Sequence, residues 1–365
     1  MTPQSVSRRD VLKSIAILGL GAGSVAFVGL DPLQVSAEQA HRPAQQANLP
    51  ELPPHWHGEP LGRITSEWMN ARVDTNIDAD VVSQLRQDDI VRVRRVVRGQ
   101  TVFLHNDIWL ETNFGYFYSS FVQPVWYHLP NVPVADLGEG RWAEVTVPYT
   151  DAYWDPDSRD PNRFVSRMYY GGTFRVRELL MGEDGRSWYK VDELYQSFYM
   201  RATHLRLIPD ADLAPISPDL PVSAKWMDVD LTAQTLTAYE NDSAVWRHRI
   251  ATGRDGKQTP EGTFYIFDKR ISERMVNNTA ADEDASERYN LAGVPFVCYF
   301  TDNWVATHGC YWHNDYGQPR SAGCVNLPAY AARWVWRWTA PHPPLDAMYY
   351  RQNVRTDGTR VVVHY

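Results

Sequence analysis

Apolar positions in this chain follow three patterns, and each predicts a different kind of element. From Ile15 to Leu30 runs a 16-residue apolar stretch diluted by four glycines. From about residue 61 onward the apolar residues come in short runs or alternate with polar ones, which predicts strands. In residues 61–125 the runs are Val81-Val82, Ile90-Val91-Arg92-Val93 and Ile108-Trp109-Leu110-Glu111, separated by turn residues as in a small all-β barrel. Residues 141–210 repeat them: Leu85 to Val93 lines up with Met168 to Val176, and Trp109-Leu110-Glu111 with Trp188-Tyr189-Lys190. Each copy has a Gly or Asp turn, an Arg-Val strand, a variable loop, a Trp-led strand and an aromatic continuation (Gly115-Tyr116-Phe117; Tyr199-Met200), an imperfect duplication.

Four prolines between Pro209 and Pro221 mark residues 211–223 as a stiff linker, and a third β-rich region, 224–365, follows. Trp226 to Thr232 alternates, Leu236 to Glu240 and Val245 to Ile250 continue an antiparallel meander, and Phe264 to Phe267 and Val294 to Phe300 are further strands. A helical period appears only in Ala329 to Trp338, where Trp334 and Trp338 share a face beside Arg333 and Arg337. The expected fold class is therefore mainly β.

Residues 1–37 read as an address. Ser7 to Lys13 carries the pair Arg8-Arg9, and Val35-Ser36-Ala37 offers small residues to a signal peptidase, so the sequence resembles twin-arginine export signals. The apolar run is shorter than the ~20 residues of a membrane span; an uncleaved anchor is the competing reading and the only membrane contact expected. Residues 38–60, rich in Pro, Gln, Ala and His without apolar period, form a linker. The expected location is the periplasm or the extracytoplasmic cell wall.

Composition narrows the function. At 365 residues, 44% hydrophobic and 22% charged, the chain is long and apolar enough for two or three folded units. Its net charge of −8, with no Lys/Arg block, excludes nucleic acid as a partner. The three cysteines, Cys298, Cys310 and Cys324, are too few for a disulfide scaffold.

Candidate chemistry gathers in His308-Gly309, Tyr316-Gly317, Pro319 and Ser321-Ala322-Gly323-Cys324-Val325-Asn326. A thiol attacks as thiolate, and an imidazole can take its proton. Cys324 and His308 form such a pair if neighbouring strands bring them together. Gly323 would let a tight turn expose the sulfur, backbone N–H groups at Gly323 or Cys324 would face an oxyanion, and Ser321 would hold the turn. Spacing alone leaves the bland readings open, a core histidine and a small buried hydrophobe. His308, Cys310, His313 and Cys324 have zinc-ligand chemistry, but their spacing fits no finger pattern and no metal is expected. Met275 to Ser286 is a candidate lid, Asp282-Glu283-Asp284 within it a solvated face, and the sequon Asn277-Asn278-Thr279 a polar loop.

These residues carry a resemblance. His308-Gly309, Gly317-x-Pro319 and Ser321-x-Gly323-Cys324-x-Asn326 closely resemble the signature of the L,D-transpeptidase (YkuD-type) catalytic domain. Trp226 to Leu231, Gln234 to Glu240, Thr252-Gly253, Thr259 to Phe264 and Gly293 to Phe296 are similar to its opening strands and turns, so the resemblance covers 224–365. It implies a sandwich-like catalytic domain and a cysteine acyltransferase of peptidoglycan needing no cofactor. Cys324 would be the nucleophile and His308 its base, with Gly309, Ser321, Gly323 and Asn326 at the substrate and oxyanion. The partners implied are donor and acceptor stem peptides; a monomer is expected. An L,D-carboxypeptidase with the same nucleophile, or a wall-binding protein with a decayed site, are the alternatives. The repeats at 61–125 and, more weakly, 141–210 resemble bacterial SH3-like modules, whose aromatics bind wall or fill the core.

Two positions depart from the signature. Ala322 stands where the family commonly has His, leaving any role of that side chain to His313 or to backbone. Cys310 follows Gly309 where a small hydroxyl residue is usual, and it and Cys298 are expected to be structural or paired with each other.

Overall fold

The computed structural model describes residues 59–103, 105–127, 131–277 and 289–365. The leader, most of the 38–60 linker, the acidic face at 282–284 and most of the candidate lid lie outside the described residues.

The first unit has seven strands, β1 (Glu59–Ile64), β2 (Trp68–Arg72), β3 (Val81–Arg86), β4 (Ile90–Phe103), β5 (Asn106–Thr112), β6 (Gly115–Tyr118) and β7 (Val122–Tyr127). The second has β8 (Arg141–Val145), β9 (Tyr149–Tyr153), β10 (Phe164–Tyr169), β11 (Thr173–Met181), β12 (Ser187–Asp192), β13 (Ser197–Arg201) and β14 (Leu205–Leu207). Their strand orders are β3-β2-β6-β5-β4-β1-β7 and β10-β9-β13-β12-β11-β8-β14, the same path with every index raised by seven. Register repeats too. Gly62 faces Val91 as Ala143 faces Phe174, and Leu110 faces Phe117 as Tyr189 faces Met200. The repeat read in the sequence is thus a repeat of topology, and Trp109 and Trp188 are both buried, Trp109 in the core of its unit and Trp188 against Tyr153.

The same strand position carries opposite chemistry in the two copies. Arg63 on β1 pairs with Gln123 on β7, and Glu144 on β8 pairs with Arg206 on β14. Both pairs are hydrogen-bonded, at 2.9 and 2.7 Å, and both reach into the next unit. Gln123 donates to the Tyr170 carbonyl and Arg63 to that of Tyr311, while Glu144 accepts from Arg333.

The third region holds two five-stranded sheets. One contains β15 (Lys225–Asp230), β16 (Thr235–Glu240), β17 (Ser243–Arg249), β18 (Gly262–Tyr265) and, last in the chain, β24 (Arg360–His364), in the order β17-β16-β15-β24-β18. The other contains β19 (Asp268–Asn277), β20 (Tyr289–Tyr299), β21 (Ala306–Gly309), β22 (Val325–Leu327) and β23 (Tyr350–Arg351), in the order β22-β21-β20-β19-β23. Helix α1 (Ala329–Trp338) packs on β20 and β21. Met227, Val229, Leu236, Val361 and Val363 of the first sheet meet Phe296, Cys298, Val325 and Leu327 of the second and Ala331, Val335 and Trp336 of α1 in one core. The fold is mainly β, as the alternating patterns require.

Two lysines sit where the alternation predicts apolar side chains. Lys225 and Lys269 are buried, and their ammonium groups end α1: Lys225 donates to the Trp338 carbonyl (3.2 Å), Lys269 to those of Trp336 and Thr339 (2.7 Å to Thr339). These carbonyls lack intrahelical partners, and a cation there also favours the helix dipole.

The connection expected as a stiff linker is packed down. Leu213 joins the core of the third region and the Ile216 N–H donates to the Arg337 carbonyl (3.1 Å). The second unit is equally attached: Trp142 lies in that same core, the Thr173 hydroxyl donates to the Ile271 carbonyl across the boundary, and the Ser272 hydroxyl donates back to the Thr173 carbonyl. Gly293, at φ +64°, lies so close to Phe174 that a Cβ there would be 2.2 Å from the ring.

Candidate active site

Strand parity places the two reactive side chains together. Val325 and Leu327 point into the core between the sheets, so Cys324 and Asn326 point outward. Cys298, also inward, faces Thr307, so Ala306 and His308 point outward on the neighbouring strand. β21 and β22 run parallel with His308 opposite Asn326, which leaves Cys324 on the diagonal from His308 on one face. There Cys324, like Met275, Leu291 and Trp312, packs against a small cluster of Phe267, Val294, Val297, Tyr299 and Ala306, separate from the main core.

The turn before the cysteine is fixed by one hydroxyl. Ser321 Oγ accepts from the Gly323 N–H (3.1 Å) and donates to the Cys324 carbonyl (2.5 Å). Thr259 Oγ1 donates to the Gly323 carbonyl (2.7 Å), and Ser321 and Arg320 donate backbone N–H groups to Thr252. Gly323 has φ +125°, a conformation that side-chain-bearing residues avoid, while a Cβ there would meet nothing closer than 3.6 Å. Glycine is therefore required by the backbone and not by crowding. Of the two oxyanion donors expected from sequence, the Gly323 N–H already serves Ser321, whereas the Cys324 N–H has no acceptor among the described residues.

His308 is almost wholly buried, and its Nδ1–H donates to the Gly309 carbonyl (3.0 Å), which leaves Nε2 as the basic nitrogen. Burial pushes the imidazole down to about 4, against a weaker upward pull from that carbonyl. Burial likewise pushes the half-buried Cys324 thiol up to about 11, although the Ala306 N–H favours the thiolate. Both groups are neutral near pH 7, a thiol and an imidazole on one face of the sheet.

The remaining sequence candidates take positions behind this pair. Gly309 is a packing glycine: a Cβ would lie 2.5 Å from Pro295 and 3.0 Å from Ala329. Asn326 is buried and hydrogen-bonded to His313 Nε2 (2.9 Å), which makes it a support and not the substrate contact expected of it. His313 Nδ1 accepts from the Asp315 N–H (3.0 Å), so its proton is on Nε2 and the Asn326 amide presents its oxygen, which has no other donor. His313 is buried in this contact and cannot take the place of a histidine at exposed Ala322.

All three cysteines are free, so the expected Cys298–Cys310 pairing is not made and both are structural. Cys298 is buried beside Lys269 and Thr339; Cys310 lies 3.7 Å from the His313 carbonyl and is pushed up to about 12 by burial. Cys324 is the one thiol open to a reagent. Among the described residues no group of His, Cys, Asp or Glu is arranged to hold a metal ion.

Two aromatics at the mouth carry no sequence signal of their own. Trp304, half exposed, offers its carbonyl 3.9 Å from the Cys324 thiol while its ring meets Tyr299 edge-on and Arg351 lies over it. Tyr289, also exposed, has its phenol raised by desolvation first and by the charge of a Cys324 thiolate second, which places it near the sulfur. Only their position beside the sulfur distinguishes them from the chain's other tyrosines and tryptophans.

Comparison with known proteins agrees with this geometry in one region. Residues 224–363 match the family model of YkuD, the L,D-transpeptidase catalytic domain. No curated protein sequence matches the chain. Among solved structures, an L,D-transpeptidase of Enterococcus faecium shares 19% identity over 39% of this chain and 50% of its own, with a TM-score of 0.30. The catalytic domain of the E. faecium enzyme shares 21% over 38% and 96%, with a TM-score of 0.29. An L,D-transpeptidase of Mycobacterium smegmatis shares 16% over 75% and 99%, with a TM-score of 0.31. The chain spans about half the length of the first of these E. faecium structures. Superpositions this loose carry no argument about mechanism, which rests on the family match and the site itself.

Proposed function

We propose that this chain, whose residues 224–363 carry an L,D-transpeptidase catalytic domain, is an exported enzyme that cross-links or exchanges peptidoglycan stem peptides through a thioester on Cys324. The observation that carries the reading is the parallel β21–β22 pair, which puts the one accessible thiol and a tautomer-fixed imidazole on one face. The leader at 1–37 supports work outside the cytoplasm.

His308 Nε2 takes the thiol proton as Sγ attacks the carbonyl of the L-centred residue before the terminal D-alanine. The Cys324 N–H donates to the oxyanion. The tetrahedral intermediate collapses by breaking the peptide C–N bond, and the imidazolium returns its proton to the leaving amine of D-alanine. A second amine, from another stem or a free D-amino acid, then gives its proton to Nε2 and attacks the thioester, and Cys324 leaves as the thiol. An imidazole held near 4 is a weak base but a strong conjugate acid, suited to protonating the leaving amine.

The test is incubation of the mature protein and its Cys324→Ala variant with tetrapeptide muropeptides, with and without a D-amino acid, and product identification by mass. Dimers or exchanged ends made only by the unaltered protein support transpeptidation. Tripeptides alone assign an L,D-carboxypeptidase, and sacculus binding without turnover under reducing conditions assigns a wall-binding protein.

A further inference from the structure

The segment that joins base to nucleophile, residues 310–320, has no helix or strand of its own. Its position is set from outside. Arg63 lies on β1 of the first unit, yet its side chain is buried where three parts of the molecule meet. Nε donates to Gln123 (2.9 Å), Nη1 to Asp88 (2.7 Å) and Nη2 to the Tyr311 carbonyl (2.5 Å). The guanidinium also lies 4.1 Å from the centre of the Tyr169 ring, and Tyr169 stacks on Tyr311. Three directed donors on a planar group fix orientation in a way that an apolar contact does not.

A second fastener lies three residues on. The Asn314 N–H donates to the Ser120 carbonyl and its Nδ2 to that of Ser119, both at 3.2 Å and both on the first unit. The fastened residues, Tyr311 and Asn314, bracket Trp312 and His313, and those two touch the active site. Trp312 packs on His308 with ring centres 5.7 Å apart, and His313 holds Asn326, the neighbour of His308 in register.

We infer that Arg63 is a positioning residue for the catalytic pair, and that the first β unit clamps the 310–317 segment so that Trp312 and His313 hold His308 and Asn326 in place. The inference rests on the reading of His308 as the base. It makes the first unit part of the active centre, whatever else that unit binds.

The test uses the mature full-length chain, with Arg63→Met and Asn314→Ala. Two readouts are taken: kcat and KM for acyl transfer on muropeptides, and backbone hydrogen exchange by mass spectrometry. Arg63→Met is expected to lower kcat about tenfold with KM within about twofold, since losing a hydrogen bond to a charged donor is of that size. Exchange should rise in residues 310–317 and stay unchanged in the sheet between β15 and β24. Asn314→Ala, a change on the segment itself, should act in the same direction by about threefold, and it decides the matter if Arg63→Met does not fold. Unchanged kcat and unchanged exchange in a folded variant overturn the inference; so does exchange that rises uniformly along the chain, which marks loss of stability alone. If the unaltered protein turns over no muropeptide, the acyl-transfer reading fails, while exchange confined to 310–317 still upholds the clamp and its absence overturns that as well.

Discussion

The resting protonation state of the site makes a prediction that separates two kinds of cysteine enzyme. Burial pushes Cys324 up to about 11 and His308 down to about 4, so the structure holds a neutral pair and not a thiolate–imidazolium pair. With the thiol at about 11, thiolate is about one part in ten thousand at pH 7 and about one in a hundred at pH 9. Relative to an ordinary thiol at 9.0, this costs on the order of 3 kcal/mol, which interactions formed with bound substrate must offset. Alkylation of Cys324 by iodoacetamide, followed by mass of the peptide that carries it, should therefore rise about tenfold per pH unit from pH 7 to 10. Buried Cys298 and Cys310 should stay unmodified in the folded chain, an internal control. His308→Ala should leave that slope as it is while abolishing acyl transfer. A plateau in the alkylation rate below about pH 8 would refute the neutral-pair reasoning.

Three further outcomes follow from packing and turn geometry. Ser321→Ala removes both hydroxyl bonds that shape the nucleophile turn, and we expect about tenfold lower acyl-transfer kcat with thermal stability down by no more than about 2 kcal/mol; equal activity would show that the turn holds itself. Gly293→Ala drives a Cβ into Phe174 and adds strain at φ +64°, so thermal unfolding should show a loss of about 2 kcal/mol or more. Burial holds Lys269 at about 8 against an ordinary 10.5, so the unfolded chain binds that proton more tightly and the stability contribution of Lys269 rises as pH climbs through that window. Urea unfolding of the unaltered chain minus Lys269→Met should accordingly shift by about 2 kcal/mol in favour of the lysine between pH 7.5 and 10, and a flat difference would remove the argument.

How much was legible in sequence depended on whether the signal was local. The helix was read at Ala329–Trp338 because its period lies in adjacent turns, and the structure has it there. Strand alternation gave the β15 and β16 meander and, through equivalent runs, the duplication of the first two units. Ser321, Gly323 and Cys324 stood out as candidates because the turn they form is written in adjacent residues, and the structure builds that turn. What escaped was long-range. Lys225 and Lys269 break the alternation to serve carbonyls of a helix more than sixty residues away, and Asn326, on the outward face with Cys324, is buried against its partner His313. The proline-rich 211–223 read only as a stiff linker because composition carries no information about the core it packs on.

The opposite polarity of Arg63 and Glu144 at one strand position bears on how a chain with two near-copies folds. Tandem repeats risk exchanging places, since each offers the same surface to the same partner. Here a swapped assembly would set Arg63 against Arg333 and bring the Glu144 carboxylate to the Tyr311 carbonyl, cation facing cation and lone pair facing lone pair. Mispairing that strands buried charge is disfavoured by several kcal/mol. Divergence at this one position thus gives each unit a berth of matching charge in the folded chain.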